Sequence, residues 1–262
     1  MTGDRDRGKV SFRAEGGIAY LVFERPSARN AMTWEMYEQF NECLLRIQED
    51  RTLRLAVLRG AGGSAFIAGT DIAQFTEFTS GDDGVAYETK IDSYIEALEV
   101  VRVPTIAVVE GMAVGGGLAI ANACDLRIAT NGARFGVPIA RTLGNCLSIA
   151  NIRRLIGTLG PSIVRRMLLS AELFQAEDLG PLGYLAAVVE PEELERTVQD
   201  TCSRLLGHAP ITISVTREMM RRLSRDPHAV ADDLIRQCYG SEDFQSGVAA
   251  FLTKSRPQWR GC

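Results

Sequence analysis

Glu110-Gly111-Met112-Ala113-Val114-Gly115-Gly116-Gly117-Leu118 is the stretch on which the fold of this chain turns, together with an earlier one, Ser64-Ala65-Phe66-Ile67-Ala68-Gly69-Thr70-Asp71-Ile72. Each follows an apolar run of strand length, residues 105–109 and 53–58, and each leads toward a helical stretch. Glycines at 115 to 117 allow the backbone to approach a neighbour or a ligand closely. The helix that starts behind them leaves the N–H groups of its first turn without intrahelical partners. Such an end favours negative charge. Taken alone, the triplet also fits a helix packed tightly through small residues. It is not a dinucleotide fingerprint, because G-x-G-x-x-G with an acidic residue about 20 positions on cannot be written here.

Working outward, residues 18–23 read as a strand. A turn at 26–30 leads into a helix from about Thr33, with Met36, Phe40, Leu44 and Ile47 at helical spacing. Residues 60–63 form a glycine loop, 85–101 a helix stopped by Pro104, 111–117 a turn, 118–123 a small-residue helix and 125–129 a strand. Beyond Pro161 helices are expected over 162–169, 175–179, 191–206 and 211–223, with a last one from about Ala229; 184–189 is the one late strand. The pattern predicts an α/β fold with a β/α core over residues 1–200 and a helical region over 201–262. No fixed-period repeat argues for a solenoid or propeller.

The 262 residues, 46% hydrophobic and 24% charged, can bury a full core. A formal charge of -4 gives no overall basic field for nucleic acid or an anionic membrane. The polar start lacks the apolar core of a signal peptide, and 105–124 is interrupted by Glu110 and the glycines, so a cytoplasmic location without a membrane span is expected. Six scattered cysteines with no C-x-x-C pair read as reduced thiols. The only two histidines, His208 and His228, lie far from the glycine-rich centre, which argues against a His-ligated metal or a Ser/His/Asp triad.

Phe66 to Ile72, a mostly helical stretch, Pro104, an apolar strand, Glu110-Gly111, the glycine triplet and Cys124-Asp125 together resemble the crotonase superfamily, the enoyl-CoA hydratase/isomerase family. Arg25-Pro26 and Asn30-Ala31 upstream and Phe135-Gly136-Val137-Pro138 downstream extend the resemblance over nearly the whole chain. It implies a spiral of ββα units and a homotrimer or dimer of trimers, with the C-terminal helices contributing to assembly. The N–H groups of Thr70 and Gly116 are then expected to form an oxyanion hole for the thioester oxygen of an acyl-CoA. The backbone of Ala65, Phe66, Ile67 and Ala68 is expected to contact the CoA adenine. No cofactor is implied beyond the CoA of the substrate, and no metal.

Hydratases of this family use two glutamates on one water, and the matching positions here hold Ala119 and Ile139, neither of which exchanges a proton at neutral pH. The segment Pro138 to Gly144 is one residue longer than the family's pattern, and Asn145-Cys146-Leu147-Ser148-Ile149 replaces its glycine-rich continuation. Arg141 and Asn145 are the polar candidates in this altered wall, an arginine there being suited to a carboxylate or other anion; a surface ion pair or a CoA phosphate contact is the alternative for Arg141. Cys146 is expected as a buried structural thiol and Asp71 as the cap of a short helix. Asn122 stands one turn beyond Ala119, and Glu77 and Glu88 could bring a carboxylate from another direction. Three functions follow: an acyl-CoA lyase or hydratase-type enzyme, a decarboxylase or carbon–carbon hydrolase of the same superfamily, and a non-catalytic acyl-CoA-binding relative.

Overall fold

The computed structural model describes residues 6–262. A hairpin opens it. β1 (Lys9–Glu15) lies antiparallel to β2 (Ile18–Glu24), and β2 feeds a 3-10 turn at Pro26–Ala28 and then α1 (Trp34–Glu49), capped by Thr33. β3 (Leu55–Gly60) follows, then α2 (Gly81–Glu99) behind a Ser80/Asp83 capping box, β4 (Thr105–Val109), β5 (Met112–Val114), α3 (Gly116–Ala123), β6 (Leu126–Thr130) and β7 (Arg134–Gly136). The second half contains α4 (Ile139–Thr142), α5 (Ile149–Leu169), β8 (Leu173–Gln175), α6 (Ala176–Leu179) and β9 (Ala187–Val189). Four helices close the chain: α7 (Leu194–Leu206), α8 (Pro210–Arg225), α9 (Asp232–Tyr239) and α10 (Glu242–Leu252).

The large sheet has the order β1-β2-β3-β4-β6-β9, parallel except for β1, and the small sheet the order β5-β7-β8. Successive turns of chain place one strand in the large sheet and a second extended piece beside it, then run into a helix. In the third turn these are β4, β5 and α3. In the second they are β3, then Ile67, which bridges to Ala113 of β5, and α2. This stacking lays the segment ending at Thr70 against the start of α3.

β3 and β4, in the middle of the large sheet, read as apolar runs because both faces are covered. Ala56, Leu58, Ala107, Val109 and Ala129 point into the main core with Phe23, Phe40 and Phe66. Leu55, Val57, Ile106, Val108 and Ile128 point the other way, onto Leu194, Val198 and Cys202 of α7. Residue 200, where the sequence reading divides the chain, thus lies inside a helix packed on the sheet.

Several sequence expectations are corrected. Residues 112–114, read as part of a turn, form β5, and Leu173–Gln175 is a second late strand; three-residue strands are too short to show periodicity. The helix expected over 162–169 is only the end of α5, which starts at Ile149 and is broken at Gly160 (φ 73°, ψ 158°) before Pro161. Pro161 can open a helical turn there because its missing N–H needs no partner at a helix start.

Candidate functional site

Two backbone pieces meet at the start of α3. Ile67 donates its N–H to Met112 O (3.1 Å) and accepts from Val114 N (3.1 Å), so the 66–70 segment runs alongside β5. Gly69 O and Asp71 N–H are both engaged by Met32 (2.9 Å each), which leaves the Thr70 N–H between them with no acceptor among the described residues. Gly116 occupies the first helical position of α3, where no intrahelical acceptor exists. A Cβ built on Gly116 would stand 3.8 Å from Thr70 N, so the two N–H-bearing backbones are neighbours. Gly117 makes the approach sterically feasible, because a Cβ there would fall 2.0 Å from Ile67 O.

Supporting contacts fix both pieces. Asn30, fully buried and at φ 58°, accepts from Arg25 N (2.9 Å) and donates to Ala61 O and Ala65 O (2.9 and 2.8 Å), tying the 25–30 turn to the segment that leads to Thr70. Asp71 accepts from Ala73 N (3.0 Å), the capping role expected of it, and pairs with Arg25 at 2.8 Å. At the far end of α3, Arg127 donates to the carbonyls of Ala121, Asn122 and Cys124, placing a buried positive charge at the negative end of the helix dipole. Asp125 accepts from Thr105 N (2.7 Å) at a strand start and also holds Arg217.

A hydroxyl chain that the sequence reading missed lies beside the pair of N–H groups. Thr70 Oγ1 is 2.9 Å from Tyr37 Oη and 2.8 Å from Tyr87 Oη. Burial pushes Tyr87 up to about 12 and Tyr37 further, so both rings stay neutral phenols. Trp34, Phe75 and Phe78 pack on Tyr87 with centroids 4.9–6.0 Å apart, forming an aromatic wall over the Thr70 side. Tyr37 and Tyr87 lie 33 and 17 positions from Thr70, and nothing local in the sequence links them.

Behind Gly115 a cleft is bordered by Ala119, Asn122, Leu147, Asn151 and Arg154. Among the described residues no carboxylate lines it. Asn122 Oδ1 accepts from Thr158 Oγ1 (2.6 Å), while Arg154 is held by Glu99 (2.9 Å), Asp92 (2.8 Å) and Asn151 Oδ1 (3.2 Å). Ile139 is half-buried against the core.

The remaining sequence candidates are dispersed. Arg141, in α4, and Asn145, in the turn after it, are both exposed and do not line this cleft. Ala65, Phe66 and Ile67 are buried with their side chains in the core, and Ala68 is half-buried with its N–H on Arg29 O. Glu77 is exposed, whereas Glu88 is half-buried and accepts from Ser148 N at 2.7 Å. Cys146, expected as a buried thiol, is exposed, because residues 140–146 form a surface turn around the short α4.

Comparison with known proteins gives the same frame. The family model described as enoyl-CoA hydratase/isomerase matches residues 13–262. A short-chain-enoyl-CoA hydratase of Clostridium acetobutylicum is 28% identical over 251 residues, 94% of this chain and 95% of that protein. A carnitinyl-CoA dehydratase of Escherichia coli is 30% identical over 259 residues, 94% of this chain and 96% of that protein. The crystal structure of an enoyl-CoA hydratase/carnithine racemase from Magnetospirillum magneticum superposes with a TM-score of 0.89 at 27% identity, covering 100% of both chains. The architecture is therefore crotonase-like, and the chain belongs to the enoyl-CoA hydratase/isomerase family.

Proposed function

We propose that this protein transforms an acyl-CoA thioester, with the N–H groups of Thr70 and Gly116 donating together to the thioester oxygen. The carrying observation is the 3.8 Å between Thr70 N and the Cβ position of Gly116, at two N–H groups free of acceptors among the described residues. Negative charge develops on that oxygen when an enolate forms, and a preorganised donor contributes about 2.7–4 kcal/mol in comparable sites. The start of α3 adds its dipole in the same direction. Relatives named hydratases and dehydratases support lyase-type chemistry on a thioester. The backbone of Ala65 to Ala68, on the approach to Thr70, is the proposed seat of the CoA adenine, and CoA enters as substrate rather than as a resident cofactor.

Purified protein offered a panel of enoyl-, 3-hydroxyacyl- and malonyl-type CoA thioesters is expected to convert at least one. Turnover of the malonyl type alone would favour the decarboxylase reading, in which exposed Arg141, free of ion pairs among the described residues, would orient the departing carboxylate. Calorimetric binding with no conversion of any member would leave a non-catalytic acyl-CoA binder.

The C-terminal helices expose Phe251 (84%) and Leu252 (76%), with Tyr239 and Val248 also accessible. Apolar side chains grouped on α9 and α10 support assembly into a trimer or a dimer of trimers. Sedimentation equilibrium is expected to give three or six chains, and Phe251→Asp to shift the distribution toward monomer. A wild-type monomer at micromolar concentration would contradict this assembly.

A further inference from the structure

We infer that Glu88 is the proton-transferring carboxylate of this site, brought in from α2 in place of the glutamates absent at positions 119 and 139. The inference rests on the acyl-thioester reading above. One contact of its own and two of its neighbours on α2 place the residue. It follows Tyr87, whose hydroxyl is 2.8 Å from Thr70 Oγ1. Its Oε2 accepts from Ser148 N at 2.7 Å, next to Leu147, which lines the cleft with Gly115 and Ala119. One turn further along α2, Asp92 holds Arg154, which also lines the cleft. Through Ser148 and Arg154, Glu88 and Asp92 therefore tie one face of α2 to the segment that walls the cleft.

Commitment of the other carboxylates leaves Glu88 alone. Asp71 pairs with Arg25, Glu110 with Arg59, and Asp92 and Glu99 with Arg154, while Glu77 is exposed. Glu88 makes no ion pair among the described residues, its Oε1 accepts no hydrogen bond, and that oxygen is not sealed from solvent. Burial raises its pKa from the ordinary carboxylate value, the Ser148 N–H opposes the rise, and the charge of Asp92 adds to it. The titratable groups near enough to feel its charge are Asp92 and Tyr87 from α2 and Tyr37 from α1; Arg154 of α5 is spent on Asp92 and Glu99. A carboxylate so placed is suited to taking a proton and giving it back.

For an enoyl thioester the step balances with one carboxylate. Glu88 takes a proton from water as the water oxygen bonds to Cβ. The π electrons of the Cα=Cβ bond move toward the carbonyl, giving an enolate held by Thr70 and Gly116. The Glu88 carboxylic acid then returns that proton to Cα as the enolate collapses, so water is added and the carboxylate restored. For a saturated thioester the same group removes and replaces a Cα proton, which needs no double bond and no knowledge of the natural acyl chain.

The test uses butyryl-CoA in D2O, with exchange at Cα followed by NMR and binding by calorimetry. Wild type is expected to bind and to exchange. Glu88→Gln, which keeps an acceptor for Ser148 N, is expected to bind butyryl-CoA within about 3-fold of wild type and to lose exchange by about 100-fold or more. Glu88→Asp is expected to retain part of the rate with a displaced acid limb. Because the folded state raises this pKa, the ionised form costs stability above it, so Glu88→Gln is expected to melt no lower than wild type at neutral pH. A merely structural Glu88 would lower Tm and leave the exchange rate per folded molecule unchanged. Binding with undiminished exchange in Glu88→Gln, or wild-type binding with no exchange at all, overturns the assignment while sparing the thioester site. Failure of wild type to bind butyryl-CoA or any thioester of the panel removes the site reading and the assignment with it.

Discussion

Gly117→Ala is expected to remove acyl-CoA turnover almost completely and to destabilise the fold by about 3 kcal/mol, the upper part of the range for overpacking a close contact. The added Cβ would meet Ile67 O at 2.0 Å, Ile67 Cβ at 2.7 Å and Ile67 C at 2.8 Å, and two of those three atoms are backbone. Ile67 cannot retreat without breaking its bonds to Met112 and Val114. The strain therefore falls on the junction that sets Thr70 against Gly116, and a displacement of even about 1 Å there costs on the order of 100-fold in rate. Gly157→Ala in α5 is the control, since a Cβ there meets nothing within 4 Å. It should be neutral or stabilising by up to about 1 kcal/mol. Thermal melting and kcat/KM on the best panel substrate check both variants.

Arg127→Ala carries the largest expected effect on stability away from the junction. The guanidinium donates to five carbonyls, those of Tyr184, Ala121, Asn122, Cys124 and Asp125, and stacks 4.5 Å over the Tyr184 ring. Removing it leaves those acceptors in a site where Arg127 itself is 8% exposed, at a cost of about 3–5 kcal/mol. The corresponding fall in Tm is on the order of 10 °C for a chain of this size. Arg127→Lys should recover only part of it, because an ammonium cannot span the fan of carbonyls that a planar fork reaches. Urea unfolding followed by circular dichroism gives the measurement. A loss below about 1 kcal/mol would show that water replaces the guanidinium without penalty.

What could be read from the sequence was local. Residues 53–58 and 105–109 announce strands through their apolar runs, the first two residues early, and the 36/40/44/47 spacing announces the core face of α1. The junction at Thr70 and Gly116 was visible only through a combination of motifs, each weak alone. β1 escaped because its face toward solvent makes it polar and short of apolar alternation, with two of its seven residues half-buried and only Val10 buried in the main core. Tyr37, Tyr87 and Thr70 could not be joined from sequence, since their shared hydrogen bonds depend on α1 and α2 arriving at one point from separate turns of the spiral. The same holds for Glu88. One of two acidic residues that could bring a carboxylate from another direction, it stands apart from Glu77 only once Ser148 N is seen to donate to it. Cys146 failed for the opposite reason: its residue type favours burial, but a surface turn decides its place.

The central claim is that two backbone N–H groups polarise a thioester carbonyl. Isotope-edited difference infrared spectroscopy of butyryl-CoA labelled with 13C at the thioester carbon reads that polarisation directly. On binding to wild type the carbonyl stretch is expected to move to lower wavenumber than in water, and the shift should be lost or reduced in Gly117→Ala. A ligand shown by calorimetry to be bound, with its carbonyl stretch at the solution position, would contradict the account.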